Sequence, residues 1–390
     1  MTINFNKSEL SKIMAFLGPY IVARMPVSTR VVKGGIIEFF ATAGVADGGS
    51  ALVRVACNKS TPAMSWKQVD GPTLQGVIAN ADDGVIAFNF GDTALTIKCP
   101  PRTTNELTYM NVHGWSDMPF VEPVSAINGK DLNMIAMMTE TASTDEARPG
   151  LNGIFVAAGK KKIEAAASDG FCLSFASIKA GEEIEAPGAL YSVKALNRAK
   201  RALKAAEDEQ LKIGFSLELS KAAENKSFVP GFVLSVTREE VRVLFHVPQM
   251  SGSFPDYKAI TKSAPKGISV EIETSSMNSL LKRASAIEGS IFFQVVNGFL
   301  WFMAANESTE QKCVDSLGVD VQGESAVMHY APSLLKDTMK ACAANRKIKL
   351  TFPAVSNAPM LFEGHAAVIA MPLANTLKES PFKNLQPALI

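Results

Sequence analysis

Helical hydrophobic periodicity comes in pairs along this chain, and the pairs recur. Helix-like stretches start near residues 7 and 66, 131 and 192, and 277 and 331. Within each pair the second follows the first by about 60 residues, with strand-like runs between, which is the signature of an internal repeat. The expected fold is therefore α+β: three similar units, each with two helices packed on one face of antiparallel sheet.

Taken in order, residues 7–17 read as a helix closed by Gly18-Pro19, where the missing donor and fixed φ stop it. Strands follow at 31–42 and 51–57, then a weaker helical pattern at 66–80 that Gly71-Pro72 interrupts. Residues 85–90 and 94–98 flank Gly91-Asp92-Thr93 as a hairpin, and 107–112 continue the strands. The middle unit has a helix at 131–139, strands at 154–158 and 162–167 around Gly159-Lys160, a helix at 192–206, and strands at 211–219, 232–237 and 241–247. In the third unit, strand 268–272 and helix 277–287 precede Asn297-Gly298, the strongest hairpin signal in the chain because both turn positions need positive φ. It sits between strands 291–296 and 299–304, and helix 331–344 with strands 347–352 and 366–371 completes the unit.

The stretch 192–206 sorts its residues by side. Val193, Leu196, Ala199, Leu203 and Ala206 form one stripe at helical spacing, and Lys194, Arg198, Arg201 and Lys204 form another with no acid among them. A solvated helix face usually mixes signs, so a single-sign face is a candidate footprint for phosphates. The chain as a whole is no polycation: Lys+Arg 39 against Asp+Glu 38 leaves a net charge of +1. Any surface for nucleic acid must then come from segregated charge.

A hydrophobic fraction of 47% over 390 residues is ample for real cores. No stretch approaches eighteen uninterrupted apolar residues, and the N-terminus lacks a signal-peptide pattern. The five cysteines, Cys57, Cys99, Cys172, Cys313 and Cys342, are scattered with no C-x-x-C pair, as expected of reduced thiols in a cytoplasm. The expected location is cytoplasmic, with no membrane partner.

Catalytic and metal motifs fail on inspection. Gly153 and Gly159-Lys160 have the wrong spacing for a phosphate-binding loop, and Lys161 stands where Ser or Thr is needed; a hairpin turn with basic tips explains them better. His113, His246, His329 and His365 lack the neighbours of a zinc site. Three similar units without a concentrated catalytic constellation favour a scaffold over an enzyme, with no cofactor and no metal.

Several segments resemble a known family. Arg148-Pro149-Gly150-Leu151-Asn152-Gly153-Ile154, followed by Ala167-Ser168-Asp169-Gly170-Phe171-Cys172-Leu173, is similar to the Leu-Asn-Gly strand and the Ala-Thr-Asp-Gly-His-Arg-Leu segment of the bacterial sliding clamp, the β subunit of DNA polymerase III. Gly252-Ser253-Phe254-Pro255-Asp256-Tyr257 resembles its Gly-Arg-Phe-Pro-Asp-Tyr segment, and Val368-Ile369-Ala370-Met371-Pro372-Leu373 its Val-Met-Pro-Met ending. The resemblance implies clamp domains at 1–124, 125–263 and 264–373, an extension at 374–390, and a head-to-tail dimer closed as a ring around duplex DNA with helices lining the hole. It implies a processivity factor that holds DNA independently of sequence and tethers a polymerase and a clamp loader through a short hydrophobic motif. The rival reading is a three-domain assembly or DNA-binding module that does not encircle DNA.

Two sets of residues follow from the resemblance. The DNA channel would comprise Arg24, Lys194, Arg198, Arg201, Lys204, Lys282, Arg283, Lys336 and Lys340, with Lys12 the other basic contribution of the first unit. The partner-peptide pocket would comprise Leu151, Ser168, Gly170, Phe171, Cys172, Leu173, Pro255, Ile260, Leu334, Val355, Asn357, Ile369, Met371, Pro372 and Leu373. Two departures bear on that pocket. Phe171-Cys172 replaces the family's common His-Arg, which makes its edge more apolar, and the tail beyond Ala374 is expected to pack near it or partly cover it.

Overall fold

The computed structural model describes all residues except 24, 45–47, 59, 111–122, 124, 204–209, 216–229, 239, 264, 288, 307, 343–345, 375–379 and 383–390. Seven α-helices occur among them: α1 Lys7–Leu17, α2 Gly71–Ala79, α3 Gly129–Met137, α4 Val193–Leu203, α5 Tyr257–Lys262, α6 Thr274–Ala284 and α7 Pro332–Cys342. Leaving aside the short α5, they fall into three pairs, starting at Lys7 and Gly71, Gly129 and Val193, and Thr274 and Pro332. The spacing of helix pairs read from the periodicity is present among the described helices.

One boundary moves. Gly71-Pro72 does not interrupt a helix but begins α2, after a strand at Met64–Asp70. Proline suits the first turn, where its absent N–H would be unpaired anyway, and Asp70 caps that turn by accepting the Thr73 N–H at 2.9 Å. The Asn297-Gly298 hairpin forms as expected, with φ of 47° and 81° joining strands Ser290–Val296 and Phe299–Asn306.

The chain divides into two compact units. The first holds residues 1–133, 157–163 and 179–251; the second holds 134–156, 164–178 and 252–390. The first unit carries a four-stranded sheet in the order Thr2–Asn6, Val85–Phe90, Ala94–Cys99 and Thr103–Thr108. A longer run in the same unit goes Ala186–Tyr191, Val241–Met250, Ser50–Ala56, Ile36–Thr42, Pro26–Val32 and Met64–Asp70. Its core is aromatic and aliphatic: Tyr20 stacks on Phe245 at 5.9 Å, and Phe5 meets Phe39 and Phe88 edge-on.

In the second unit, Gly267–Glu273, Lys347–Pro353, Met360–Glu363, Ala367–Ala370 and Cys172–Lys179 pair in that order. A separate sheet runs Gln311–Gly318, Phe299–Asn306, Ser290–Val296 and Met328–Tyr330. Helices α6 and α7 bury Met277, Leu280, Leu281, Leu335 and Met339 in one core with Phe293, Phe302, Phe352 and Phe362. The strand pairings described are antiparallel, some between sequence neighbours, such as Ser290–Val296 with Phe299–Asn306, and others between distant strands, such as Gly267–Glu273 with Lys347–Pro353.

The expectation that the tail packs near the pocket or partly covers it falls mostly on residues outside the described ones. Residues 380–382 lie on the sheet of the second unit, where Phe382 is buried among Phe292, Trp301, Met303 and Val327. Phe382 stacks on Trp301 with centroids 6.2 Å apart, and Ser380 donates to Gln294.

Candidate functional site

Helix α4 in the first unit owes its orientation to its own sequence. Ala195, Leu196, Ala199, Ala202 and Leu203 are buried, whereas Lys194 and Arg201 are exposed and Arg198 and Lys200 half-buried. Ser192 caps the helix by accepting the Ala195 N–H at 3.1 Å, which satisfies one of its orphan donors. Arg198 donates to the Gly48 carbonyl at 3.2 Å, so part of its charge is tied to the protein. Arg201 has no acidic partner among the described residues. Both arginines lie close enough to the buried Tyr20 to oppose the burial that drives its phenol above the ordinary range. Arg24 and Lys204 lie outside the described residues.

The basic residues of the second unit have different surroundings. Arg283 at the end of α6 forms an ion pair with Asp315. Lys340 on α7 donates to Glu140 at 2.8 Å and Asp337 at 3.2 Å, and the Glu140 hydrogen bond holds its ammonium above the usual lysine range. Lys282 and Lys336 are exposed and lack an acidic partner among the described residues. The two helices pack on each other, which groups these four residues on one helix pair.

All fifteen pocket candidates fall in the second unit. The centre is the antiparallel pair of Cys172–Lys179 with Ala367–Ala370, in which Leu173 opposes Ile369. Leu173 and Ile369 are buried with Ala166 and Tyr257, and Phe155, Phe175, Phe254 and Leu361 pack against them. Phe155 stacks on Phe254 at 5.5 Å and contacts Tyr257 at 5.7 Å, where α5 begins. One turn further, Ile260 is exposed, and Pro255 precedes the helix.

Several of the pocket candidates are large apolar side chains in solvent. Phe171, Ile260, Val355, Met371 and Leu373 are 40–62% exposed, and they are five of the eight exposed large hydrophobic residues among the described residues. Scattered exposed hydrophobes are ordinary, but the share of them that falls among the pocket candidates is not. Phe171 is fixed by its backbone: its N–H donates to Asp169 Oδ1 at 2.8 Å, and its carbonyl accepts the Met371 N–H at 2.8 Å. Gly170 makes the turn possible with φ of 96°, and a Cβ there would meet the Arg148 guanidinium at 3.3 Å. Ser168 completes the turn by donating to the Cys172 carbonyl and accepting the Gly170 N–H.

Other candidates stand further off or turn away. Leu151 is half-buried beside Gly170, while Val355 and the exposed Asn357 occupy the loop between Lys347–Pro353 and Met360–Glu363. Leu334 packs partly against the core on α7, and Pro372 is half-buried between Met371 and Leu373. Cys172 does not line the pocket edge as expected. Strand alternation turns it into the core, where it meets the Thr338 hydroxyl at 3.2 Å and burial pushes its thiol up to about 12. Two contributors escaped the sequence reading: Asp169, whose carboxylate braces Phe171 and Cys172, and Arg148, whose guanidinium reaches the Asp169 carbonyl at 3.5 Å. The Asp-Gly pair was the available signal for the first; nothing in the local sequence pointed to the second.

Residues 127–245 match the family model for the central domain of the DNA polymerase III beta subunit. No curated protein matches the sequence. Solved structures of similar fold include DNA polymerase III beta subunit from Thermotoga maritima, at 18% identity and a TM-score of 0.74 over 96% of this chain and 100% of that one. A DnaN sliding clamp from Pseudomonas aeruginosa bound to griselimycin is 16% identical with a TM-score of 0.77, again over 96% and 100%. A Helicobacter pylori beta clamp bound to a DNA ligase peptide is 13% identical with a TM-score of 0.74 over the same shares.

Proposed function

We propose that this chain, a member of the DNA polymerase III beta subunit family through its central domain, works as a sliding clamp: a cytoplasmic, non-enzymatic ring that encircles duplex DNA and tethers replication proteins. The observation that carries the reading is the single-sign face of α4 in a chain with the clamp fold. Its buried stripe holds the helix down, Lys194 and Arg201 are exposed, and no residue of the helix is acidic. Phosphate contacts of this kind carry no sequence information and exchange readily, which is what sliding needs.

Three clamp domains at 1–124, 125–263 and 264–373 supply the ring when two chains join head to tail. Such a heterologous contact needs two different surfaces that fit each other. Thr103–Thr108 and Gln311–Gly318 are the outer strands of two four-stranded sheets, each with a strand partner on one side only among the described residues. Pairing one edge with the other across chains satisfies both rows of backbone groups and closes the ring.

The apolar surface around Phe171, Met371 and Leu373 is the tether. An exposed aromatic and several aliphatics over a buried floor suit a short peptide with leucine or aromatic anchors. The H. pylori clamp, whose structure was solved with a DNA ligase peptide, supports this kind of partner.

The test is topological. The protein is loaded by a clamp loader onto nicked circular DNA, which is then cut once. A ring is retained on the circle and released from the linear product; equal retention on both would contradict encirclement.

A further inference from the structure

From Ala370 to Ala374 the chain is held at three points by the short strand Met328–Tyr330. The Tyr330 hydroxyl donates to the Ala370 carbonyl at 3.1 Å, the His329 carbonyl accepts the Leu373 N–H at 2.7 Å, and His329 Nδ1 lies 3.0 Å from the Ala374 carbonyl. These contacts bracket Met371, whose own N–H is taken by the Phe171 carbonyl at 2.8 Å. The exposed side chains of Met371 and Leu373 therefore depend on His329 and Tyr330 for the placement of their backbone.

That strand needs support of its own. It has three residues and one strand partner among the described residues, Ser290–Val296, in which Phe292 stands opposite His329. So short an edge has few ladder bonds, and its order rests on side-chain packing. Two routes tie it to residues 380–382. In the first, Phe382 stacks on Trp301 and shares a buried cluster with Phe292, and the Phe292 ring lies parallel to the His329 ring at 4.5 Å. In the second, Ser380 donates to Gln294, and the Gln294 amide donates to the Ser325 carbonyl at 2.9 Å, on the segment that leads into the strand. Gln294 is buried, and a buried amide that loses a donor is destabilised.

We propose that residues 380–382 are a brace for the peptide groove: with Phe382 and Ser380 seated on the sheet, His329 acts as the positioning residue that holds Leu373, and with it Met371, in the pose a partner's apolar anchor meets. Without the brace, Met328–Tyr330 loosens and the rim disperses over more conformations, so a partner binds only at the cost of ordering it. The inference rests on reading the groove as a peptide site, and it adds that the site's affinity is set partly by residues outside it.

Hydrogen exchange reads the brace without any ligand. In Phe382→Ala the Leu373 amide should exchange at least about tenfold faster, while amides of Lys347–Pro353, a strand with neighbours on both sides, keep their rates. Phe382→Leu, which keeps the position apolar, should recover most of the protection. Unchanged exchange at Leu373, or an equal rise along Lys347–Pro353, would overturn the proposal. Binding reads the consequence, with a fluorescein-labelled copy of the DNA ligase peptide bound to the H. pylori clamp as the probe, titrated by anisotropy. Phe382→Ala should weaken it about fivefold or more, Leu373→Ala should weaken it as well, and the double variant should lose little beyond the larger single loss, because the brace acts through the rim. Fully additive losses would also overturn the proposal. Phe171→Asp separates the two readings. If the unsubstituted chain binds no peptide, or Phe171→Asp leaves binding unchanged, the groove reading falls and takes the proposal with it; if Phe171→Asp abolishes binding while Phe382→Ala leaves it unchanged, the brace alone falls.

Discussion

The basic residues of α4 and those of α6 and α7 have the same chemistry and different company. On α4, Arg201 is exposed and has no acidic partner among the described residues. On the other two helices, Arg283 is matched by Asp315, and Lys340 by Glu140 and Asp337. A cation already paired offers a phosphate little, because the new contact must replace an existing one. The comparison teaches that counting lysines and arginines on helices overstates a DNA surface: Arg201 on α4 and Lys282 and Lys336 on α6 and α7 lack an acidic partner among the described residues, whereas Arg283 and Lys340 are paired.

Several variants would break or sharpen that contrast. The largest effect is expected from Leu196→Ala, since this side chain is 1% exposed and anchors α4: a loss of about 2–5 kcal/mol in urea unfolding. A cost under about 1 kcal/mol would mean that the apolar stripe does not hold the basic face in place. Next comes the double reversal Lys194→Glu with Arg201→Glu, which should shorten retention on circular DNA at least about tenfold while dimer sedimentation is unchanged. The matching pair Arg283→Ala with Lys340→Ala should change retention less than about threefold, and an equal loss from both pairs would erase the distinction. Neutralising Lys194 and Arg201 should also lower the slope of log affinity against log salt by about 2, roughly 0.9 per phosphate contact, with little change from the α6 and α7 pair. The smallest effect is reserved for Lys340→Ala in thermal unfolding. Its pairs are exposed to solvent, so the cost should stay at about 0–1 kcal/mol.

What the sequence revealed follows the physics of each element. The helix Lys7–Leu17 and the Asn297-Gly298 hairpin were legible because local chemistry decides them: a Gly-Pro stop in one and positive φ in the other. Strands such as Cys172–Lys179 and Gln311–Gly318 were not, since their pairing partners lie far along the chain or their pattern is too polar to stand out. The helix α2 was misread because Pro72 looks the same at a break as at a first turn until Asp70 is seen to cap it. For the groove, the residue stretches were legible but not their facing. Cys172 and Phe171 are neighbours, and only the strand's pleat sends one into the core and the other into solvent. Likewise, the tail's aromatic anchor was visible as a residue, while the sheet face that receives Phe382 is assembled from four separate positions.

The central claim is that the basic face of α4 looks into the hole of a ring occupied by duplex DNA. Replacing Arg201 with a photo-crosslinking residue, loading the protein onto a nicked circle and irradiating it tests this directly, with the same residue at Ile36 as the comparison position. The account predicts crosslinks to DNA from position 201 that depend on loading, and few from position 36. Crosslinking from 36 equal to or greater than that from 201 would contradict it.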